Sequence, residues 1–177
     1  DNSTHVRNFM FGKIYEGHEI AAHTLTHPAL SMVSDEEVIR QVEEDRKALS
    51  EIAGYEVVGM AYPGGSHVMN EHVADLIRNN TGIKYARTTT STHNFDLQSD
   101  LIIFNPTVYH HVEWDEMFRL GEEFLALKPD TPKIFYIWGH AYEMDFRPDC
   151  WIKLEEFCKL ISGKDDIFYG TNAEVLL

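Results

Sequence analysis

The stretch Gly17-His18-Glu19-Ile20-Ala21-Ala22-His23-Thr24-Leu25-Thr26-His27-Pro28-Ala29-Leu30 decides how the rest of the chain is read. Two imidazoles, His23 and His27, stand four residues apart, after a short apolar run and directly ahead of a proline. Two neutral imidazoles at this spacing can share one divalent ion, from a helical turn or from a tight loop. Pro28 argues for the loop, because a proline pushes the residue before it out of the helical region. On spacing alone the pair reads equally well as two surface histidines beside a turn.

Outward from this loop the chain has the rhythm of β/α units. Residues 14–22 read as a short strand leading into the histidines. Ser34 with Glu37 forms a capping-box pattern, and Val38, Val42, Leu49 and Ile52 recur at helical spacing until Gly54. Residues 56–62 read as an apolar strand stopped by Pro63-Gly64-Gly65. Asn70 caps a second helix with Val73, Ala74 and Ile77 inward, and a strand follows around 84–88. Residues 89–114 are the least regular, with a strand expected at 101–104 and a connection at 106–111. A helix is expected over 114–127, a doubly buried apolar strand over 133–138, and a last helix from Pro148 to Gly163. Strand, turn, helix and strand at these intervals predict parallel strands with outer helices in a single α/β domain over residues 1–177.

Composition narrows the partners. The chain carries 29 acidic against 15 basic residues, a net charge of −14, which repels nucleic acid and anionic lipid surfaces. No apolar run is long enough to span a membrane. A neutral or cationic partner is more plausible on this ground, and a sugar fits. Cys150 and Cys158 fall in one predicted helix, separated by about 12 Å of rise, beyond disulfide reach. Both are read as buried thiols.

Three pieces of the chain resemble one family. Gly17-His18-Glu19-Ile20-Ala21-Ala22-His23-Thr24-Leu25-Thr26-His27 resembles the second motif of the polysaccharide deacetylases, the NodB-homology carbohydrate esterases. Met60-Ala61-Tyr62-Pro63-Gly64-Gly65 resembles the third motif, with Ala61 where an arginine is usual. Trp138-Gly139-His140 resembles the fifth, with Trp138 in place of an aliphatic residue. The first motif, an Asp-Asp-Gly that supplies the base and a third metal ligand, is missing. The one Asp-Asp pair, Asp165-Asp166, comes after the fifth motif and reads as a turn.

The resemblance implies a (β/α) barrel, incomplete or distorted, with its N-terminal strand or strands expected to lie upstream. It implies His23 and His27 as ligands of a divalent metal, usually zinc, and His140 as the general acid that protonates the departing amine. Backbone N–H groups of Gly64 or Gly65 would hold the oxyanion, and Tyr62, Pro63, Gly64 and Trp138 would line the substrate pocket. Arg87 would replace the absent arginine or serve the fourth motif's role; as a bare residue it is a strand-end charge. Glu143 and Asp145, three and five residues past His140, could orient or acidify that loop but are expected to face solvent, and His110-His111 beside Tyr109 to be plain loop residues or part of a sugar-binding rim.

The implied activity is removal of N-acetyl or O-acetyl groups from an N-acetylated oligo- or polysaccharide, metal-bound water attacking the acetyl carbonyl. The competing reading is a non-catalytic carbohydrate-binding or scaffolding relative that lost the base. A secreted or cell-envelope location is expected if the full-length gene encodes a leader, and a cytoplasmic one otherwise.

Overall fold

The structure, a computed structural model, describes residues 13–177, and residues 1–12 lie outside the described residues. The chain divides into two compact units. The first runs to Thr88 and takes in Asp100–Phe104 and Tyr169–Leu177; the second comprises Thr89–Ser99 and Asn105–Phe168.

In the first unit, β1 (Gly59–Ala61) and β2 (Tyr85–Arg87) pair in parallel, Gly59 opposite Tyr85 and Ala61 opposite Arg87. Ala22 bridges Met60 and Phe104 bridges Arg87, both in parallel, so four chain segments run side by side in one direction. Their carboxyl ends reach one edge, where His23, Tyr62 and Thr88 follow. Helix α1 (Asp35–Ala53) starts where the Ser34 hydroxyl accepts from the Glu37 N–H at 3.3 Å, and ends at Gly54 in the left-handed conformation, φ 78°. Helix α2 (Glu71–Asn80) starts where the Asn70 side chain accepts from the Val73 N–H at 3.0 Å. Val38 and Val42 from α1 and Val73, Ala74 and Ile77 from α2 close over Ala22, Met60, Tyr62 and Ala86. These apolar side chains pack as the helical spacing predicts, and their burial is the main favourable term in the unit.

In the second unit, β3 (Val108–Tyr109) and β4 (Ile137–Trp138) pair in parallel, Val108 opposite Ile137 and Tyr109 opposite Trp138. Helices α3 (Trp114–Ala126) and α4 (Cys150–Ile161) pack together, with Met117, Leu120, Cys150 and Phe157 buried between them and β3. Phe95 meets Phe124 and Phe135 edge to face at 5.1 and 5.5 Å, and Phe124 and Phe135 lie tilted at 5.5 Å. A short helix α5 (Asn172–Leu176), capped by Thr171, ends the chain in the first unit.

Several sequence expectations are corrected here. Residues 14–22 hold no strand; only Ala22 bridges, after a turn at 15–17. Leu101–Ile103 is a 3-10 turn, because Asp100 Oδ1 accepts from the Ile102 N–H at 2.9 Å and curls the run. The expected connection at 106–111 contains β3. The strand at 133–138 shortens to β4, and its residues are half-buried rather than covered on both faces. Cys150 is buried but Cys158 is exposed. The helix ending near Gly163 is followed by α5.

Candidate functional site

His23 opens a loop held by the buried face of α1. Its backbone N–H donates to Asp45 Oδ2 at 2.8 Å. One turn away, Gln41 accepts from the Thr26 N–H at 2.9 Å and donates to Thr26 Oγ1 at 2.8 Å. Gln41 is nearly fully buried, so these bonds are shielded from water. Thr24 and His27 adopt left-handed backbone, φ 70° and 56°, which costs a non-glycine residue about 1 kcal/mol or more. The Thr24 hydroxyl accepts from the His27 N–H at 3.2 Å and helps hold that turn. The result brings the His23 and His27 rings to 4.9 Å between centroids.

The tautomer of His23 follows from its partner. Nδ1 lies 2.8 Å from the Ala61 carbonyl, which can only accept, so Nδ1 carries the proton and the Nε2 lone pair is left for a ligand. At the end of β1, Tyr62 is buried and its hydroxyl donates to the Ile102 carbonyl at 2.9 Å. Pro63 is buried beside it. Gly64 is exposed with φ 71°, and a Cβ there would press on Val68, so the turn requires glycine. At the end of β2, Arg87 donates to the Thr88 carbonyl at 3.2 Å and lies close enough to His23 to act on its charge.

In the second unit β4 ends at Gly139-His140. His140 Nδ1 lies 3.0 Å from Glu143 Oε1, and its backbone N–H donates to Glu143 Oε2 at 2.9 Å. The Tyr109 hydroxyl donates to the same carboxylate. The acceptor fixes the proton on Nδ1 and leaves Nε2 as the atom that gives or takes one. Glu143 is 4% exposed, which corrects the expectation of a solvent-facing carboxylate. Trp138 stacks on Tyr109 at 4.4 Å and meets His140 edge-on at 5.6 Å. His110 is also buried, with Nε2 3.7 Å from Glu143 Oε2 and Nδ1 without a hydrogen-bond partner. Gly139 makes room for it, since a Cβ would overlap the imidazole. Gly139→Ala is therefore expected to lower unfolding free energy by about 1–3 kcal/mol, read by urea denaturation.

The charges of these groups set a pH dependence. The pKa of His23 is lowered, chiefly by desolvation, with His27 and Arg87 adding repulsion against the pull of the Ala61 carbonyl and Asp45. Burial likewise lowers that of His110, against the attraction of Glu143. Both imidazoles titrate near 6.5 when unfolded. Below that pH the unfolded chain binds more protons, so this stability is complete above 6.5 and is lost as the pH falls. Burial alone would raise Glu143, but the Tyr109 hydroxyl and the His140 N–H and imidazole outweigh it, and the net shift is downward from 4.5. Its contribution is present above 4.5 and disappears as the pH falls through the lowered value. The expected urea midpoint is flat above pH 7 and declines below 6.5, with a shallower first decline in His110→Asn.

The family model described as Polysaccharide deacetylase matches residues 12–86, the part that carries the histidine loop and β1. This segment, under half of the chain, is similar to the polysaccharide deacetylases. The chain resembles solved structures along nearly its whole length. The crystal structure of Puue allantoinase has 13% identity and a TM-score of 0.72, and the match covers 96% of this chain and 62% of that one. A CE4 family pseudoenzyme from Bacillus anthracis has 14% identity and a TM-score of 0.54, covering 96% and 50%. A mutant described as that family's pseudoenzyme with restored enzymatic activity gives 14%, 0.51, 96% and 52%. The chain thus spans half to under two thirds of the length of these structures. The likeness gives the fold class as an incomplete (β/α) barrel with parallel strands. No curated protein matches.

His23, His27, Arg87 and the 62–64 turn meet at one strand edge of the first unit, while Trp138 and His140 sit in the second. Sequence reasoning missed Gln41 and Asp45, whose four-residue spacing with Glu37 marked one face of α1. It weighed Glu143, one turn after His140, as a residue that could orient that loop but expected it to face solvent, and it missed the buried state of His110.

Proposed function

We propose that the protein is a divalent-metal-dependent hydrolase that removes acetyl groups from a carbohydrate, with His23 and His27 as metal ligands and His140 as the general acid. The observation that carries this reading is the paired imidazoles at 4.9 Å, one of them held with Nε2 unprotonated by the Ala61 carbonyl. Two neutral imidazoles suit a zinc-like ion, although among the described residues no group of three His, Cys, Asp or Glu converges on a metal position. When bound, such an ion supplies Lewis acidity and lowers the pKa of water.

The chain's own residues would do the rest. Backbone N–H groups at Gly64 and Gly65 are suited to an oxyanion formed at the end of β1. Arg87 adds positive charge at the same edge. His140, steadied through Nδ1 by Glu143, presents Nε2 to the departing nitrogen or oxygen. Trp138 would shape the pocket for the acetyl methyl.

A second reading, a carbohydrate-binding relative without turnover, draws on the two-histidine donor set and on the pseudoenzyme neighbour. Acetate release from an N-acetylglucosamine oligomer separates the two. Release by the zinc-supplied full-length protein, abolished by a chelator, supports the hydrolase; binding of the oligomer without release favours the second reading.

A further inference from the structure

We infer that His110 is an acid-responsive positioning residue for His140: once it takes a proton it claims the Glu143 carboxylate, and His140 lets go. Its bearing on turnover rests on the reading of His140 as the general acid.

The device is built around one buried charge in the second unit. Glu143 Oε1 accepts from the Tyr109 hydroxyl and faces His140 Nδ1 at 3.0 Å, and Oε2 accepts from the His140 backbone N–H at 2.9 Å. A carboxylate has about four acceptor positions, so Oε2 has room for one more donor. His110 Nε2 stands 3.7 Å from that oxygen, beyond hydrogen-bond range for a neutral ring. The other nitrogen of His110, Nδ1, is buried without a partner.

The surroundings decide what a proton on His110 does. Glu143 faces it from the 3-10 turn Ala141–Asp145, His140 from the end of β4, and His111 follows it in the chain. The Tyr109 and Trp114 rings, at 5.7 and 5.6 Å, complete the setting without charge. Of these groups only Glu143 attracts a cation, and across a poorly solvated gap that attraction is strong. Burial holds the proton off until below pH 6.5, while Glu143, held below 4.5, is still ionised at the start of that range.

One carboxylate cannot neutralise two imidazolium ions, and a net charge left in the interior is costly. Exposure determines which ring leaves. The His140 side chain is 44% exposed and can carry its charge into water; that of His110 is 11% exposed and cannot. The acid form therefore keeps His110 on Glu143 and turns His140 out of the place where it would meet a leaving group.

Nitrogen-edited NMR of the full-length protein tests this by following the His140 Nδ1 proton while ring-carbon shifts report the charging of His110. In the wild type the Nδ1 proton signal is expected at pH 7.5 and lost in step with His110, with circular dichroism unchanged. In His110→Asn and, independently, His110→Gln, which cannot charge, the signal should persist at the pH where the wild type has lost it. Loss at the wild-type pH in the variants would overturn the inference. So would a wild-type signal that outlasts the charging of His110, a comparison that decides the matter even if neither variant folds. A wild type that shows the linked loss yet releases no acetate at any pH would overturn the general-acid reading and leave the coupling of the two imidazoles standing.

Discussion

His140→Ala is expected to lower acetate release by about 10²–10⁴-fold while leaving oligosaccharide affinity within a few fold, the effect of removing a positioned general acid. The expectation rests on where the ring is held. His140 follows the carboxyl end of β4, and its backbone and Nδ1 both engage one buried carboxylate. That carboxylate is further bound by Tyr109, from the end of the paired strand β3. Nε2 is thus the ring's one exchangeable position. Glu143→Gln, which keeps the shape but removes the charge, should lose a smaller part of the rate; saturation kinetics should assign the loss to kcat rather than KM. Full activity in His140→Ala would remove this residue from the mechanism.

The second large effect concerns the metal. His23→Ala and His27→Ala are each expected to weaken zinc binding by more than about 100-fold, beyond the loss outer-shell partners cause. Competition with a chromophoric chelator reads the change. Gln41→Ala keeps both imidazoles but removes the bonds that hold Thr26, and should fall in the outer-shell range of about 10–100-fold. Wild-type zinc affinity in both histidine variants would show that the ion, if any, is held elsewhere.

Much of this was legible in the sequence because local chemistry and tertiary packing agreed. Ser34, Gly54 and Asn70 predicted helix ends, and Val38, Val42, Val73, Ala74 and Ile77 predicted buried faces, and the structure bears these out. Parallel pairing of β1 with β2 followed from the spacing of the units. The misreadings arose where one side chain redirected the backbone. Leu101–Ile103 is apolar enough for a strand, but Asp100 bonds the Ile102 N–H and curls it. Val108–Tyr109 was too short to show a period and became a strand only by pairing with Ile137–Trp138.

The candidate histidines stood out in the sequence, and the residues that hold them did not. The histidines carry motif spacing, whereas Gln41, Asp45 and Glu143 are polar residues whose burial depends on what folds over them. Glu143 in particular looked like one more acid in a chain of net charge −14. The hydrogen bonds from Tyr109 and His140 make its burial affordable, and neither partner could be assigned from spacing alone.

The proposed activity has the His23 and His27 pair and His140 together turning over an acetylated sugar. It is tested most directly by titrating zinc into the metal-stripped full-length protein while following acetate release from an N-acetylglucosamine oligomer. The rate is expected to rise with occupancy and to saturate at one ion per chain. A protein with zinc bound and oligomer bound that releases no acetate would contradict it.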